Sequence, residues 1–230
     1  MKPNIIFIMA DDLGYGDLGC YGASKIATTN IDRIAGEGMR FSDAHASSAL
    51  CTPSRYSILT GRYCWRSALK RGVLWGFSPP LIEEERPTVA SLLKQQGYAT
   101  ASIGKWHLGL NWTTIGGSEP DPKGDGRNID YAAPLTGGPN SLGFDYCFNI
   151  SGSLDMSPYC FIENGRVVET PTLEKEPYNP QQRPGLMSPG WRDEVVDVTF
   201  AQKAVAWLEE RAQEERPFFL YLTPSAPQRP

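Results

Sequence analysis

Two short, almost wholly apolar runs constrain this chain more than anything else in it. PNIIFIMADD (residues 3–12) is rich in β-branched side chains and ends in two carboxylates, and PFFLYLTP (217–224) is its counterpart near the far end. Neither alternates apolar with polar, so each reads as a strand buried on both faces, as in a parallel sheet covered by helices. Helical patterns lie between them. Thr29 is placed to cap a short helix over 30–37 that Gly38 stops, and Pro53 to open one that ends at Gly61. PTVASLLKQQG gives a third from Pro87, with Val89, Leu92 and Leu93 on one face, followed by a strand over 98–103 that Gly104 breaks. The longest helix, about 193–213, carries Val196, Phe200, Ala204, Trp207 and Leu208 as its buried stripe. The expectation is an α/β fold with a mostly parallel central sheet and helices on both faces.

From about 112 to 190 the texture changes to a loop-rich insertion, with Pro, Gly, Asn and Asp every few residues. Short strands are expected at 146–150, 159–163 and 167–169, and Asn164-Gly165 is a strong hairpin signal. Such loops sit where open α/β sheets bind their ligands. Composition excludes some partners. A net charge of -4 leaves no footprint for nucleic acid, and the apolar run 5–10 is far too short to cross a bilayer. No signal peptide is legible at Met1, so a cytoplasmic protein or a removed leader is expected. The chain stops just after a buried strand, so it is expected to be the front part of something longer.

Three stretches carry chemistry. Asp11-Asp12 places adjacent carboxylates at a strand end, where they repel unless a cation neutralises them; oxygen ligands there suit Ca²⁺ or Mg²⁺. Both can reach one ion only if the chain turns, and the plain alternative is a solvated loop start with Asp12 as a cap. GKWHLG (104–109) puts Lys105 and His107 at alternate positions of an extended chain, a point charge for an anion beside a group that transfers protons; a structural histidine is the alternative. His45 has no such company and reads as packing or capping. CTPSR (51–55) sets Cys51 at a helix start with Arg55 one turn on. A phosphatase-like thiolate is one reading, but Pro53 removes an N–H that a phosphate cradle needs. The other four cysteines, Cys20, Cys64, Cys147 and Cys160, read as small buried hydrophobes.

Taken together these stretches resemble a known family. CTPSRYSILTGR is similar to the sulfatase motif C-x-P-S-R with its downstream L-T-G-R, PNIIFIMADDLGYGDLGCYG to the family's metal-binding strand, and GKWHLG to its lysine–histidine motif. PFFLYL resembles the strand before a later histidine motif. The resemblance implies type I sulfatase chemistry on an alkaline-phosphatase-like fold. Cys51 would be oxidised by a formylglycine-generating enzyme, with Pro53 and Arg55 as recognition determinants. One hydroxyl of the resulting hydrate attacks sulfur and the alcohol leaves; the second then collapses to the aldehyde and expels sulfate. Asp11, Asp12 and modified Cys51 would ligate Ca²⁺ in preference to Mg²⁺. Arg55 would hold the hydrate, Lys105 would bridge it to a sulfate oxygen, and His107 would take up the proton.

Two departures qualify the implied function. SAPQRP puts Gln228 where the family's P-H-x-P carries a leaving-group histidine, and glutamine donates a hydrogen bond but delivers no proton. The family's other metal ligands and C-terminal subdomain lie outside these 230 residues, which are expected to be the N-terminal portion of the catalytic domain and inactive alone. The expected substrate is a small-molecule or glycan sulfate ester, a carbohydrate by family analogy and by the aromatics Trp112, Tyr131 and Tyr159. The alternatives are a phosphomonoester or phosphonate-ester hydrolase, or a non-catalytic binder of sulfated ligands. Family analogy places such proteins in the periplasm, the lysosome or outside the cell.

Overall fold

A computed structural model describes residues 2–228; Met1, Arg229 and Pro230, and so the end of SAPQRP, lie outside the described residues. Along the chain run β1 (Ile5–Ile8), α1 (Thr29–Glu37), α2 (Cys51–Thr60), α3 (Val89–Gln95), β2 (Ala99–Lys105) and β3 (Tyr146–Ile150). They are followed by β4 (Ile162–Glu163), β5 (Arg166–Val167), β6 (Leu173–Glu174), β7 (Leu186–Met187), α4 (Val196–Arg211) and β8 (Phe218–Thr223). The main sheet has the order β1-β8-β2-β3-β4-β5. β1, β8, β2 and β3 are parallel to one another, while β4, antiparallel to β3, and β5 form an antiparallel edge around Asn164-Gly165.

Alternation along β8 shows the two covered faces. Phe219 and Tyr221 pack with Tyr56 and Leu59 of α2 and Ala90 of α3. Phe218 and Leu220 pack on the other face with Val196, Phe200, Ala204 and Trp207 of α4. This is the layered α/β architecture that the sequence implies, with the apolar stripe of α4 on the sheet as expected and only Leu208 part exposed.

Several details differ from the sequence reading. β1 is an edge strand: Ile6 and Ile8 are exposed, so only Ile5 and Phe7 face the core. An apolar run cannot say whether a neighbour covers its second face. α1 starts at Thr29 with Thr28 in the cap position, and α2 starts two residues before Pro53, at Cys51 itself. Asp193–Val195 form a 3₁₀ turn before α4. Trp112, Tyr131 and Tyr159 are buried in the two cores and present no surface to a sugar. Among the cysteines, Cys64, Cys147 and Cys160 are buried as expected, Cys20 is only half-buried, and none of the five is paired.

Candidate active site

The two carboxylates follow the edge strand and part company at once. Asp11 is buried, whereas Asp12 has φ +61° and stands exposed. That left-handed residue is the turn needed to bring both side chains to one place, and both line a single cavity of about 570 Å³ with Cys51, Arg55 and His45. His45 therefore neither packs nor caps; it is exposed and bonded to Asp43 at 2.7 Å. The segment 226–228 runs beside Asp11, whose N–H donates to the Ala226 carbonyl (3.0 Å) while the Gln228 N–H donates to the Asp11 carbonyl (2.8 Å). Residues at the two ends of the chain are thus locked together by backbone bonds.

Lys105 ends β2 at the heart of this arrangement. Both glycines of GKWHLG have positive φ, and both lie against backbone. A Cβ at Gly104 would sit 2.1 Å from the Thr223 carbonyl oxygen, and one at Gly109 would sit 2.0 Å from that of Pro79. Only glycine permits that approach, and it places the Lys105 side chain wholly inside the protein. Its Nζ donates to Asp11 Oδ2, to Gln228 Oε1 and to Ser153 Oγ (3.2 Å). Ser153 in turn donates to Gln228 Oε1 at 2.9 Å. Arg55, also buried, approaches Asp11 Oδ1 at 3.4 Å through Nη2 and donates from Nη1 to the Lys105 carbonyl. Its Nε and Nη2 make no hydrogen bond among the described residues. Two cations and one carboxylate are therefore held out of water; the Lys105 donors are all taken, and Arg55 Nε and Nη2 keep unused donor capacity, which is the electrostatic form of an anion site.

His107 is buried with φ +54°, so GKWHLG does not continue as extended chain and the expected alternation with Lys105 fails. The two residues still lie close. Burial first, and then the charge of Lys105, hold the imidazole well below its ordinary pKa, against the pull of the Leu74 carbonyl, with Arg55 adding to the depression. The ring is neutral at pH 7. Nε2 is 2.8 Å from the Leu74 carbonyl, which can only accept, so Nε2 carries the proton and Nδ1 keeps a free lone pair. Nδ1 is buried and without a partner among the described residues, as a proton acceptor waiting for a donor would be. The linkage has a definite sign: the unfolded state protonates below about pH 6.5 and the folded state does not. His107 accordingly costs stability as pH falls below about 6.5, at about 1.4 kcal/mol per pH unit, until its folded pKa is reached. Thermal unfolding followed from pH 7.5 to 5 will show a shallower decline for His107→Gln than for the parent; parallel curves would show that the ring is not neutral in the fold.

Three residues here carry no signal in the sequence. Ser153 ties Lys105 to Gln228. Thr52 is fully buried and joins the start of α2 to the histidine loop, donating to the His107 carbonyl (2.9 Å) and accepting from the Leu74 N–H (3.1 Å). Tyr221 places a buried hydroxyl beside Arg55 and Asp11; burial pushes its pKa up to about 12 while Arg55 pulls it back. Serine and threonine are too common for position alone to mark them, whereas Tyr221 lies on a strand that the sequence did identify.

For a metal, Asp11 and Asp12 are the right donor type and converge on one cavity. No group of three or more His, Cys, Asp or Glu side chains suited to a metal occurs among the described residues. Two carboxylates fall short of the six to eight oxygens that Ca²⁺ takes, so they fit a hard cation in kind and supply part of its shell. No helix among the described residues is long and apolar enough to cross a membrane.

Comparison with known proteins places these residues in context. The chain matches the Sulfatase family over residues 3–230. It is 39% identical to the N-acetylgalactosamine-6-O-sulfatase of Bacteroides thetaiotaomicron, over 96% of this chain and 47% of that protein. It is 35% identical to arylsulfatase G of Mus musculus, over 96% of this chain and 40% of that protein. Among solved structures, a Bacteroides thetaiotaomicron protein from work on glycosaminoglycan metabolism, designated a 6S-sulf, superposes with a TM-score of 0.82 at 35% identity. All of this chain and 52% of that one are covered. Another, solved with its substrate D-glucosamine-2-N,6-O-disulfate, gives a TM-score of 0.61 at 30% identity over all of this chain and 35% of that one. The chain spans about half or less of the length of these relatives. With its motifs assembled around one buried ion cluster and this match along its length, the chain belongs to the sulfatase family.

Proposed function

We propose that the protein carrying this chain is a sulfuric ester hydrolase that removes sulfate from a sulfated carbohydrate, with Cys51 as the precursor of its nucleophile. The observation that carries the reading is the single cavity lined by Cys51, Arg55, Asp11 and Asp12, with buried Lys105 bonded to Asp11 behind it. The relative's N-acetylgalactosamine 6-sulfatase activity, given by its name, supports a sugar sulfate as the substrate class. The match to about half the length of its relatives supports reading residues 1–230 as the N-terminal portion of the catalytic domain.

Arg55 and Lys105 supply fixed positive charge for the sulfuryl oxygens, and because both are held by buried partners they need no reorganisation as charge develops. His107 Nδ1, buried without a partner among the described residues, would be the acceptor that takes a proton. Asp11 and Asp12 are the residues that would hold Ca²⁺, which when bound polarises the sulfate ester. When Cys51 is converted by a formylglycine-generating enzyme, the aldehyde hydrate supplies the attacking hydroxyl. Gln228 meets the leaving alcohol as a hydrogen-bond donor only.

Full-length protein with Cys51 converted, incubated with Ca²⁺ and either an aryl sulfate or a 6-sulfated N-acetylhexosamine, is expected to release inorganic sulfate, measured by ion chromatography. Faster turnover of the matched aryl phosphate would move the assignment to a phosphoester hydrolase. Tight binding of the sulfated sugar with no release would make the protein a binder.

A further inference from the structure

A second cleft, of about 760 Å³, adjoins the ion cluster through Gln228. Its size lies within the roughly 300–1,000 Å³ typical of small-molecule sites. Gln228 lines this cleft and is bonded to Asp11, which lines the first cavity, so a substrate with its sulfuryl end by Cys51 would turn its alcohol end toward the cleft past Gln228. Gln228 Oε1 is taken by Lys105 and Ser153, which leaves its amide N–H groups for the alcohol. Beyond it stands the exposed ring of Tyr178, a surface on which a sugar ring packs.

The charges around this cleft are not balanced. Asp193 is neutralised by Lys175 at 2.7 Å, and Glu174 by Arg127. Asp197 is different: the Ser225 N–H, Ser225 Oγ and Ala226 N–H donate to it at 2.8–2.9 Å, and no cation pairs with it among the described residues. Glu176 and Glu194 are exposed on the lining with no ion pair among the described residues. Against these three carboxylates Arg192 is the one lining cation without an ion pair among the described residues.

We propose that this cleft receives the alcohol portion of the substrate and that Glu176, Glu194 and Asp197 restrict it to uncharged or cationic sugars. A second anionic group there, a uronate or another sulfate, meets uncompensated negative charge and is rejected. The proposal rests on the sulfatase reading and names the substrate class within it: sugar sulfates whose only anion is the ester being cleaved.

The test compares kcat/KM for two sulfated disaccharides that differ in one residue, a neutral sugar in one and a uronic acid in the other. The neutral substrate is expected to be favoured about ten-fold at low ionic strength, with the preference shrinking in 1 M salt, where screening reaches about 3 Å. The double variant Glu176→Gln/Glu194→Gln is expected to narrow the ratio several-fold. In parallel, the sulfate-free disaccharides are titrated against the protein by NMR, which needs no turnover, and the neutral one should bind more tightly. Sulfate release at equal efficiency from both, or a ratio unmoved by the double variant, overturns the cleft assignment and leaves the sulfatase reading standing. No release from either substrate, with selective binding of the neutral disaccharide, overturns the sulfatase reading and supports the cleft. Neither release nor selective binding overturns both.

Discussion

Cys51→Ala is expected to fold as the parent does and to release no measurable sulfate. The side chain is half-buried at the first position of α2, makes no hydrogen bond that holds the helix, and alanine is the best helix former. The parent and variant should therefore unfold at closely similar denaturant concentrations. With Cys51 as the precursor of the nucleophile, as proposed, its removal is expected to cost about five to six orders of magnitude in kcat, since the surrounding charges act only on a bond being made. Cys51→Ser sharpens the test. A serine can attack sulfur once but holds no second hydroxyl to expel the product, so the expected result is at most one equivalent of alcohol per enzyme and no steady-state turnover. Continued turnover by Cys51→Ala, measured by sulfate chromatography on protein whose residue 51 has been verified by mass, would assign the nucleophile elsewhere.

The second large effect is on stability. In Lys105→Ala the buried Asp11 keeps only Arg55, 3.4 Å away, while Ser153 and Gln228 lose the donor they share. An ion pair broken on one side in the interior costs about 3–5 kcal/mol, because the remaining charge is stranded away from water. A urea titration of the parent and variant reads this directly as a shift in midpoint at constant slope. Lys105→Met combined with Asp11→Asn removes both charges and is expected to recover much of the lost stability while staying inactive. A loss below about 1 kcal/mol for Lys105→Ala would mean that water reaches the pair, as in exposed ion pairs.

The layered fold was legible because its strands and helices announce themselves locally. The buried stripe of α4 follows from helical periodicity, and the hairpin at Asn164-Gly165 from turn chemistry. What failed depended on partners. Among the described residues Ile6 and Ile8 are exposed on the strand at the sheet's edge, a placement that no local pattern in the run specifies. The three loop aromatics look the same in sequence whether they stack on a sugar or on each other, and here Trp112 lies edge-on to both Phe77 and Tyr131. For the site, Asp11, Cys51, Arg55 and Lys105 were identifiable as parts, since charge and sulfur at element ends are uncommon. Their contact was not, because Asp11 and Lys105 are 94 residues apart and meet only when β1, β8 and β2 align in parallel. His107 was identified for the wrong geometry: the positive φ that breaks the alternation is what sends its ring to Leu74.

The way α2 packs also sets a clock. On the function proposed above, a converting enzyme would have to read the five-residue stretch that holds Thr52 and Arg55, yet both are sealed in the folded protein, at 0% and 1% exposure. An enzyme that recognises Arg55 by contact cannot reach it once Asp11 and the Lys105 carbonyl have closed over it. Under the proposed function, oxidation of Cys51 would then compete with folding, and the fraction converted would be decided by which is faster on the newly made chain. Slower production, or a converting enzyme met earlier along the chain's route, would then raise the active fraction without changing a single residue, whereas adding the same enzyme to finished protein would leave the thiol as it was.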